Sequence, residues 1–161
     1  MKNILFVCTA NICRSPFAEK AFEALLKKKK VGLVKVHSAG VDAIPGIRSP
    51  LRAIQIADEL SVDLSGHTSR FLYPNMVEEA DIIPVMDVYH RDRILEISPG
   101  SSDRIRLLGS YSSVCHSSIP EEMEIPDPYR LTLFHYRSSY SLIRDCVNNL
   151  YEEIRLCLSV C

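Results

Sequence analysis

Four short β-rich runs, Lys2–Val7, Val34–Ala39, Asp81–Met86 and Arg104–Leu108, are kept apart by longer segments, most of them of helical period. That spacing constrains the fold more than any other feature. Parallel strands cannot be joined by tight hairpins and need long crossovers, so strands alternating with helices predict a parallel sheet covered on both faces. In the first gap, Pro16–Lys30 places Phe17, Ala21, Phe22, Leu25 and Leu26 on one helical face. In the second, Pro50–Leu60 carries Leu51, Ile54 and Ala57 at spacing three, and Val88–Ile97 is a shorter helix in the third. Beyond the last strand Tyr136, Tyr140, Ile143, Val147, Leu150, Ile154 and Leu158 step by three or four, the stripe of one long helix, with residues 154–161 expected to fray. No repeat or low-complexity linker interrupts the chain, so residues 1–161 read as one doubly wound α/β domain. One local conflict stands out: Pro84 falls inside the third strand, where it removes a ladder donor.

Composition narrows the function. Lys plus Arg is 19 and Asp plus Glu is 20, a net charge of −1, and the lysine run Lys27–Lys30 is local. A chain that coats nucleic acid neutralises many phosphates, so no nucleic-acid partner is expected. The lysine run reads as a solvated helix end that complements the negative end of the helix dipole. No apolar run approaches the roughly 20 residues of a membrane span, and the start, Met1-Lys2-Asn3-Ile4-Leu5-Phe6-Val7-Cys8, lacks the features of a secretory signal. The expectation is a cytoplasmic protein with no membrane partner. The cysteines at 8, 13, 115, 146, 157 and 161 form neither a disulfide framework nor paired knuckles, and no HExxH occurs, so no metal site is expected.

The loop after the first strand concentrates the chemistry. Val7-Cys8-Thr9-Ala10-Asn11-Ile12-Cys13-Arg14-Ser15-Pro16 encloses five residues between Cys8 and Arg14 and runs straight into a helix. Ser15 reads as its N-cap, and Pro16 suits the first turn. Five residues are enough to curl the backbone into a nest of N–H groups backed by the positive end of the helix dipole, which is an anion site. Arg14 adds a planar fork for two oxygens of a phosphate. The same positive surroundings favour a thiolate at Cys8. Nucleophile and oxyanion clamp thus point at one atom, the arrangement for phosphoryl transfer through a phosphocysteine. The structural alternative is a buried cysteine at a strand end and an arginine near a helix start.

Val7–Pro16 resembles the signature loop of the low-molecular-weight protein tyrosine phosphatases. Further blocks are similar to the family in its order: Ser38-Ala39-Gly40, Gly66-His67-Thr68-Ser69-Arg70, Glu79-Ala80-Asp81 through Val85-Met86-Asp87, Leu107-Leu108-Gly109 and Ile125-Pro126-Asp127-Pro128-Tyr129. The resemblance covers Lys2 to about Ile154. It implies a flavodoxin-like four-stranded parallel sheet, no metal and no cofactor. It also implies Cys8 as nucleophile, Arg14 as phosphate clamp and Asp127 as general acid, on a loop formed by Thr9, Ala10, Asn11, Ile12 and Cys13. Ser15 would hydrogen-bond the sulfur, Asn11 would hold the strained turn, and Ser38 and His67 would belong to the supporting network.

The proposed acid has its own logic. A phenolate leaving group needs a proton, and prolines on both sides of Asp127 present its carboxyl group rather than letting it wander. Without the family, the same stretch reads as a surface turn. Many members carry glycine just beyond; this chain has Arg130-Leu131-Thr132-Leu133, expected to stiffen the hinge and to add charge at the rim. Ile12, Tyr129 and Ile44 are expected as apolar walls for an aryl ring.

The expected substrate is therefore a phosphotyrosine protein, for instance a tyrosine kinase, or a small aryl phosphate, with inorganic phosphate or other oxyanions as product or inhibitor. Three alternatives remain. Protein-arginine phosphatases related to the family carry threonine where this chain has Ile12. Arsenate reductases of similar fold need relay cysteines, and no cysteine lies between Arg14 and Val114. A phosphate-binding module without turnover would keep the loop alone. Cys13 is open between a redox partner of Cys8 and a space-filling residue. The remaining histidines, His37, His90, His116 and His135, read as surface or packing residues.

Overall fold

The computed structural model describes residues 1–158. Its elements run β1 Lys2–Cys8, α1 Arg14–Lys29, β2 Val34–Gly40, α2 Leu51–Glu59, α3 Pro74–Glu79, β3 Ile83–Val85, α4 Val88–Ile97, β4 Ile105–Leu107 and α5 Leu133–Leu158, with short 3-10 turns at Pro99–Arg104, Leu108–Tyr111 and Pro120–Met123. The sheet order is β2-β1-β3-β4 and every pairing is parallel, as the strand–helix alternation requires.

β1 shows why the sheet is covered on both faces. Ile4, Phe6 and Cys8 belong to one core with residues of α1, α2 and α5, while Leu5 and Val7 belong to the other with residues of α3 and α4. Alternate side chains of a strand point to opposite faces. The odd–even register therefore decides that Cys8 emerges on the α1/α5 face, at the carboxyl edge of a central strand. The α5 stripe is as expected: Tyr136, Tyr140, Ile143, Val147, Leu150 and Ile154 are all buried.

Several expectations need correction. Helix α5 extends to Leu158, and Ile154, where fraying was expected to begin, packs into the same core as Leu26 and Tyr151. The side chain of Leu158 and residues 159–161, Cys161 among them, lie outside the described residues. The buried face of α2 runs through Ala53, Ile56 and Ala57, and Leu51, its first residue, is exposed. Helix α3 was not foreseen: six residues opened by Pro74 carry too few apolar positions to show a period.

Pro84 does sit inside β3. Leu5 donates to the Ile82 carbonyl and Met86 donates to the Val7 carbonyl, so the peptide groups of 82, 84 and 86 face β1. The proline nitrogen has nothing to donate there. The β1–β3 ladder is reduced to Val7 opposite Val85 and an isolated bridge between Ile4 and Ile82, and the strand shortens to Ile83–Val85.

Candidate active site

The 9–13 loop leaves β1 and closes over the start of α1. Backbone N–H groups of Thr9, Ala10, Asn11, Ile12 and Cys13 donate to no protein acceptor among the described residues, so the turn offers a nest of free donors at a helix N-terminus. Asn11 makes the turn possible. Its φ is 53°, the left-handed region that Asn tolerates better than most residues. Its side chain donates from Nδ2 to Ser15 Oγ and Ser38 Oγ, each at 2.9 Å, and its Oδ1 accepts from the Arg70 amide at 2.8 Å. His67 donates from Nε2 to the Asn11 carbonyl at 2.8 Å. Burial lowers the His67 pKa, against the bond to the Asn11 carbonyl, which favours the charged ring. Ser38 donates in turn to the buried Glu19, whose carboxylate also takes Arg70.

Ser15 is not the N-cap. Cys13 occupies that position without a side-chain cap bond, and the helix starts at Arg14. The Ser15 hydroxyl is engaged inward instead, 2.9 Å from Cys8 Sγ and 3.4 Å from the Ala39 carbonyl, while it accepts from Asn11. The hydroxyl donates to the sulfur if Cys8 is a thiolate and can take the thiol proton otherwise.

Arg14 is almost fully buried. Its Nη1 reaches Asp87 Oδ2 at 3.2 Å and the Ile125 carbonyl at 3.0 Å, and its Nη2 reaches Asp127 Oδ2 at 3.1 Å. A buried guanidinium needs such partners, because an unpaired charge there would be costly. Asp127 is presented as its flanking prolines suggest: the Pro126 carbonyl accepts from Ser139 Oγ, and Asp127 Oδ1 accepts from the Tyr129 amide. Arg130, at the departure noted above, has φ 64° and lays its guanidinium 5.3 Å from the Tyr129 ring centroid. A left-handed conformation strains any residue but glycine, and the Leu131 amide closes this turn onto the Pro128 carbonyl at 2.9 Å. The rim charge is thus stacked on an aromatic wall.

Cys8, Thr9, Ala10, Ile12, Cys13, Arg14, Asp127 and Tyr129 line one pocket of about 180 Å³. Ile44 does not join them: it remains 71% exposed on the loop after β2, where its carbonyl accepts from Ser69. Cys13 turns its thiol toward the Tyr136 hydroxyl at 3.7 Å, and burial pushes it up to about 12, the environment of a packing residue more than of a thiolate. A larger hollow of about 550 Å³ contains Cys115 and His116, but no cation lines it and Glu122 and Glu124 do, so it offers nothing to an anion. Among the described residues no group of three or more His, Cys, Asp or Glu side chains is disposed to hold a metal ion.

Three features were not legible beforehand. Asp87, which caps α4 by accepting the His90 amide, also pairs with Arg14; an Asp before a helix signals only the cap. His90 is buried as a packing residue would be, but beside the loop, 2.8 Å from Thr9 Oγ1, a contact its sequence position did not signal. Gly40 is required by close approach, since a Cβ there would lie 2.5 Å from the Thr9 carbonyl oxygen and 2.8 Å from the Asn11 nitrogen. Gly40→Ala therefore displaces the loop backbone. The expected loss is about 1–3 kcal/mol of stability together with weakened phosphate binding. Calorimetric melting and phosphate titration check this, and unchanged phosphate affinity would contradict it.

A family model described as low molecular weight phosphotyrosine protein phosphatase matches residues 3–157. The chain is 36% identical over 141 residues to the low molecular weight protein-tyrosine-phosphatase Wzb of Escherichia coli K12, covering 88% of this chain and 87% of that one. Among solved structures it resembles Vibrio vulnificus Wzb in complex with benzylphosphonate, with TM-score 0.80, 29% identity and coverage of 94% and 98%. It also resembles the YwlE arginine phosphatase of Geobacillus stearothermophilus, with TM-score 0.82, 28% identity and coverage of 97% and 94%.

Proposed function

This chain belongs to the low molecular weight phosphotyrosine protein phosphatase family, cysteine-dependent enzymes, and on that premise we propose how its own residues divide the reaction. The carrying observation is the convergence of Cys8, Arg14 and Asp127 on one pocket, beside a nest of N–H groups that have no protein acceptor among the described residues. The phosphate dianion enters the nest and Arg14 takes two of its oxygens, releasing Asp127 from the guanidinium to take up a proton from solvent. The Cys8 thiolate attacks phosphorus as the bond to the phenolic oxygen breaks, and Asp127 delivers its proton to that oxygen. Phenol leaves and a phosphocysteine remains. Asp127, now a carboxylate, takes a proton from water, whose oxygen attacks phosphorus. The thiolate departs, eased by the Ser15 hydroxyl, and inorganic phosphate is released.

An aryl phosphoester on a protein is the substrate class we assign. Ala10, Ile12 and Tyr129 give the pocket apolar walls, and Asp127 is the only carboxylate among its lining residues. A departing guanidinium would find few acceptors there. The thiol chemistry suits a reducing compartment such as the cytoplasm; no helix among the described residues is long and apolar enough to cross a membrane.

The test is phosphate release from a phosphotyrosine peptide and a phosphoarginine peptide in parallel. Turnover of the first alone is expected; preference for the second would overturn the substrate class. The acid is tested by leaving group. Asp127→Asn is expected to slow phosphotyrosine turnover by about 10²–10⁴-fold and p-nitrophenyl phosphate much less, because p-nitrophenolate departs without a proton. Equal losses on both would remove Asp127 from that role.

A further inference from the structure

The buried His90 has no part in the steps above, yet it touches the loop that performs them. Its Nε2 lies 2.8 Å from Thr9 Oγ1, and Thr9 follows the nucleophile directly. Its Nδ1 lies 3.1 Å from Asp87 Oδ1, off the line of a hydrogen bond. The other oxygen of that carboxylate holds Arg14. One side chain thus hydrogen-bonds Thr9 at the start of the Cys8–Arg14 loop and lies beside Asp87, the carboxylate that pairs with Arg14 at its finish.

The tautomer follows from the charges. With a carboxylate oxygen 3.1 Å away, an unprotonated Nδ1 would be repelled and a protonated one attracted even off the hydrogen-bond line, so we place the proton on Nδ1. Burial above all lowers the His90 pKa, with Arg14 acting the same way against Asp87, Asp127 and Asp42, to about 4 in balance, so the ring is neutral at ordinary pH. Nε2 is then an acceptor, and the Thr9 hydroxyl must donate to it. The neighbouring contacts restrain the same peptides. Asp42 donates its amide to the Thr9 carbonyl at 3.0 Å, and the Asp42 carboxylate takes the Tyr89 hydroxyl at 2.7 Å. The first turn of α4 therefore grips the loop entrance through both Tyr89 and His90.

We propose that His90 is a positioning residue for the phosphate loop, accepting the Thr9 hydroxyl so that the first peptide after Cys8 is held toward the anion, and facing the carboxylate that seats Arg14. This deepens the phosphatase reading and rests on it for the kinetic consequence, though its effect on phosphate binding does not need turnover.

A double-mutant cycle tests it, with two readouts: the Kd for inorganic phosphate by titration calorimetry, and kcat/KM on an aryl phosphate. His90→Ala and Thr9→Val are each expected to weaken phosphate binding and kcat/KM by about tenfold, the scale of one lost hydrogen bond in a buried network. Because they break the same bond, the double variant should remain near tenfold rather than reach the hundredfold of independent losses. His90→Gln, whose carbonyl oxygen can accept from Thr9, should recover binding to within about threefold of the parent. If His90→Ala does not fold, His90→Phe fills the cavity with a ring that has no acceptor and carries the same cycle. Additive losses, or a fall in melting temperature with phosphate Kd and kcat/KM unchanged, would overturn the proposal. Phosphate binding with a coupled cycle but no turnover by the parent protein would defeat the phosphatase reading and leave the positioning role standing. Turnover with an additive cycle would do the reverse.

Discussion

Cys8→Ser is expected to lower turnover of a phosphotyrosine peptide by about 10⁴-fold or more, the scale of losing an enzyme's nucleophile, while inorganic phosphate still binds with an affinity within a few-fold of the parent. The two halves of that result come from different groups. Binding depends on the N–H groups of residues 9–13, the start of α1 and the Arg14 fork, none of which the substitution touches. Attack depends on a thiolate, and a serine hydroxyl cannot supply an equivalent anion near neutral pH. The replacement is close in size and keeps a hydroxyl partner within reach of Ser15, which stands 2.9 Å from the sulfur, so the loop should retain its shape. Steady-state phosphate release and titration calorimetry on the same preparation measure both. Residual turnover above about a hundredth of the parent would mean that another nucleophile acts, and loss of phosphate binding would mean that the sulfur holds the loop together.

Arg14→Lys is the second large effect, a fall of about 10³–10⁵ in kcat, the range seen when an arginine that stabilises phosphoryl transfer is lost. Charge is conserved in this change and geometry is not. The guanidinium spans Asp87 through one nitrogen and Asp127 through the other while also satisfying the Ile125 carbonyl. It has the planar width to exchange the Asp127 contact for two phosphate oxygens and keep Asp87. A lysine ammonium is a point charge that cannot present two parallel donors to the phosphate while held by Asp87. The measurement is kcat and the inhibition constant for phosphate, with calorimetric melting as a control for folding. A variant within tenfold of the parent in kcat would show that positive charge alone suffices.

Much of the site lies in one stretch of chain and was legible there. Cys8, Arg14 and the helix that follows are local, so their spacing along the chain already sets their spacing in space. Asp127 was singled out only through the resemblance, since alone its stretch reads as a surface turn, and its pairing with Arg14 was not anticipated. Ser15 shows the limit of local rules. By propensity it is an N-cap, yet the sulfur, Asn11 and Ala39 surround its hydroxyl in the folded chain and the cap role is lost. Ile44 failed for the opposite reason: an apolar residue in a loop gives no direction, and this one points to solvent. Asp87 and His90 were hidden because a helix-capping aspartate and a lone histidine have ordinary structural explanations.

From its own residues the chain determined its strand–helix alternation, and hence a parallel sheet, because local hydrophobic period and crossover length are properties of consecutive positions. It also set the Cys8–Arg14 spacing and the helix that follows, although the turn between them is held by Ser38, His67 and Arg70 from elsewhere in the chain. Tertiary structure alone decided which distant groups complete that loop. The sheet order β2-β1-β3-β4 brings the ends of β1 and β3 side by side, so Asp87 and His90 reach a loop more than 70 residues earlier in the chain. No sequence spacing encodes that meeting, since it is fixed by which strands pair and which face each side chain takes.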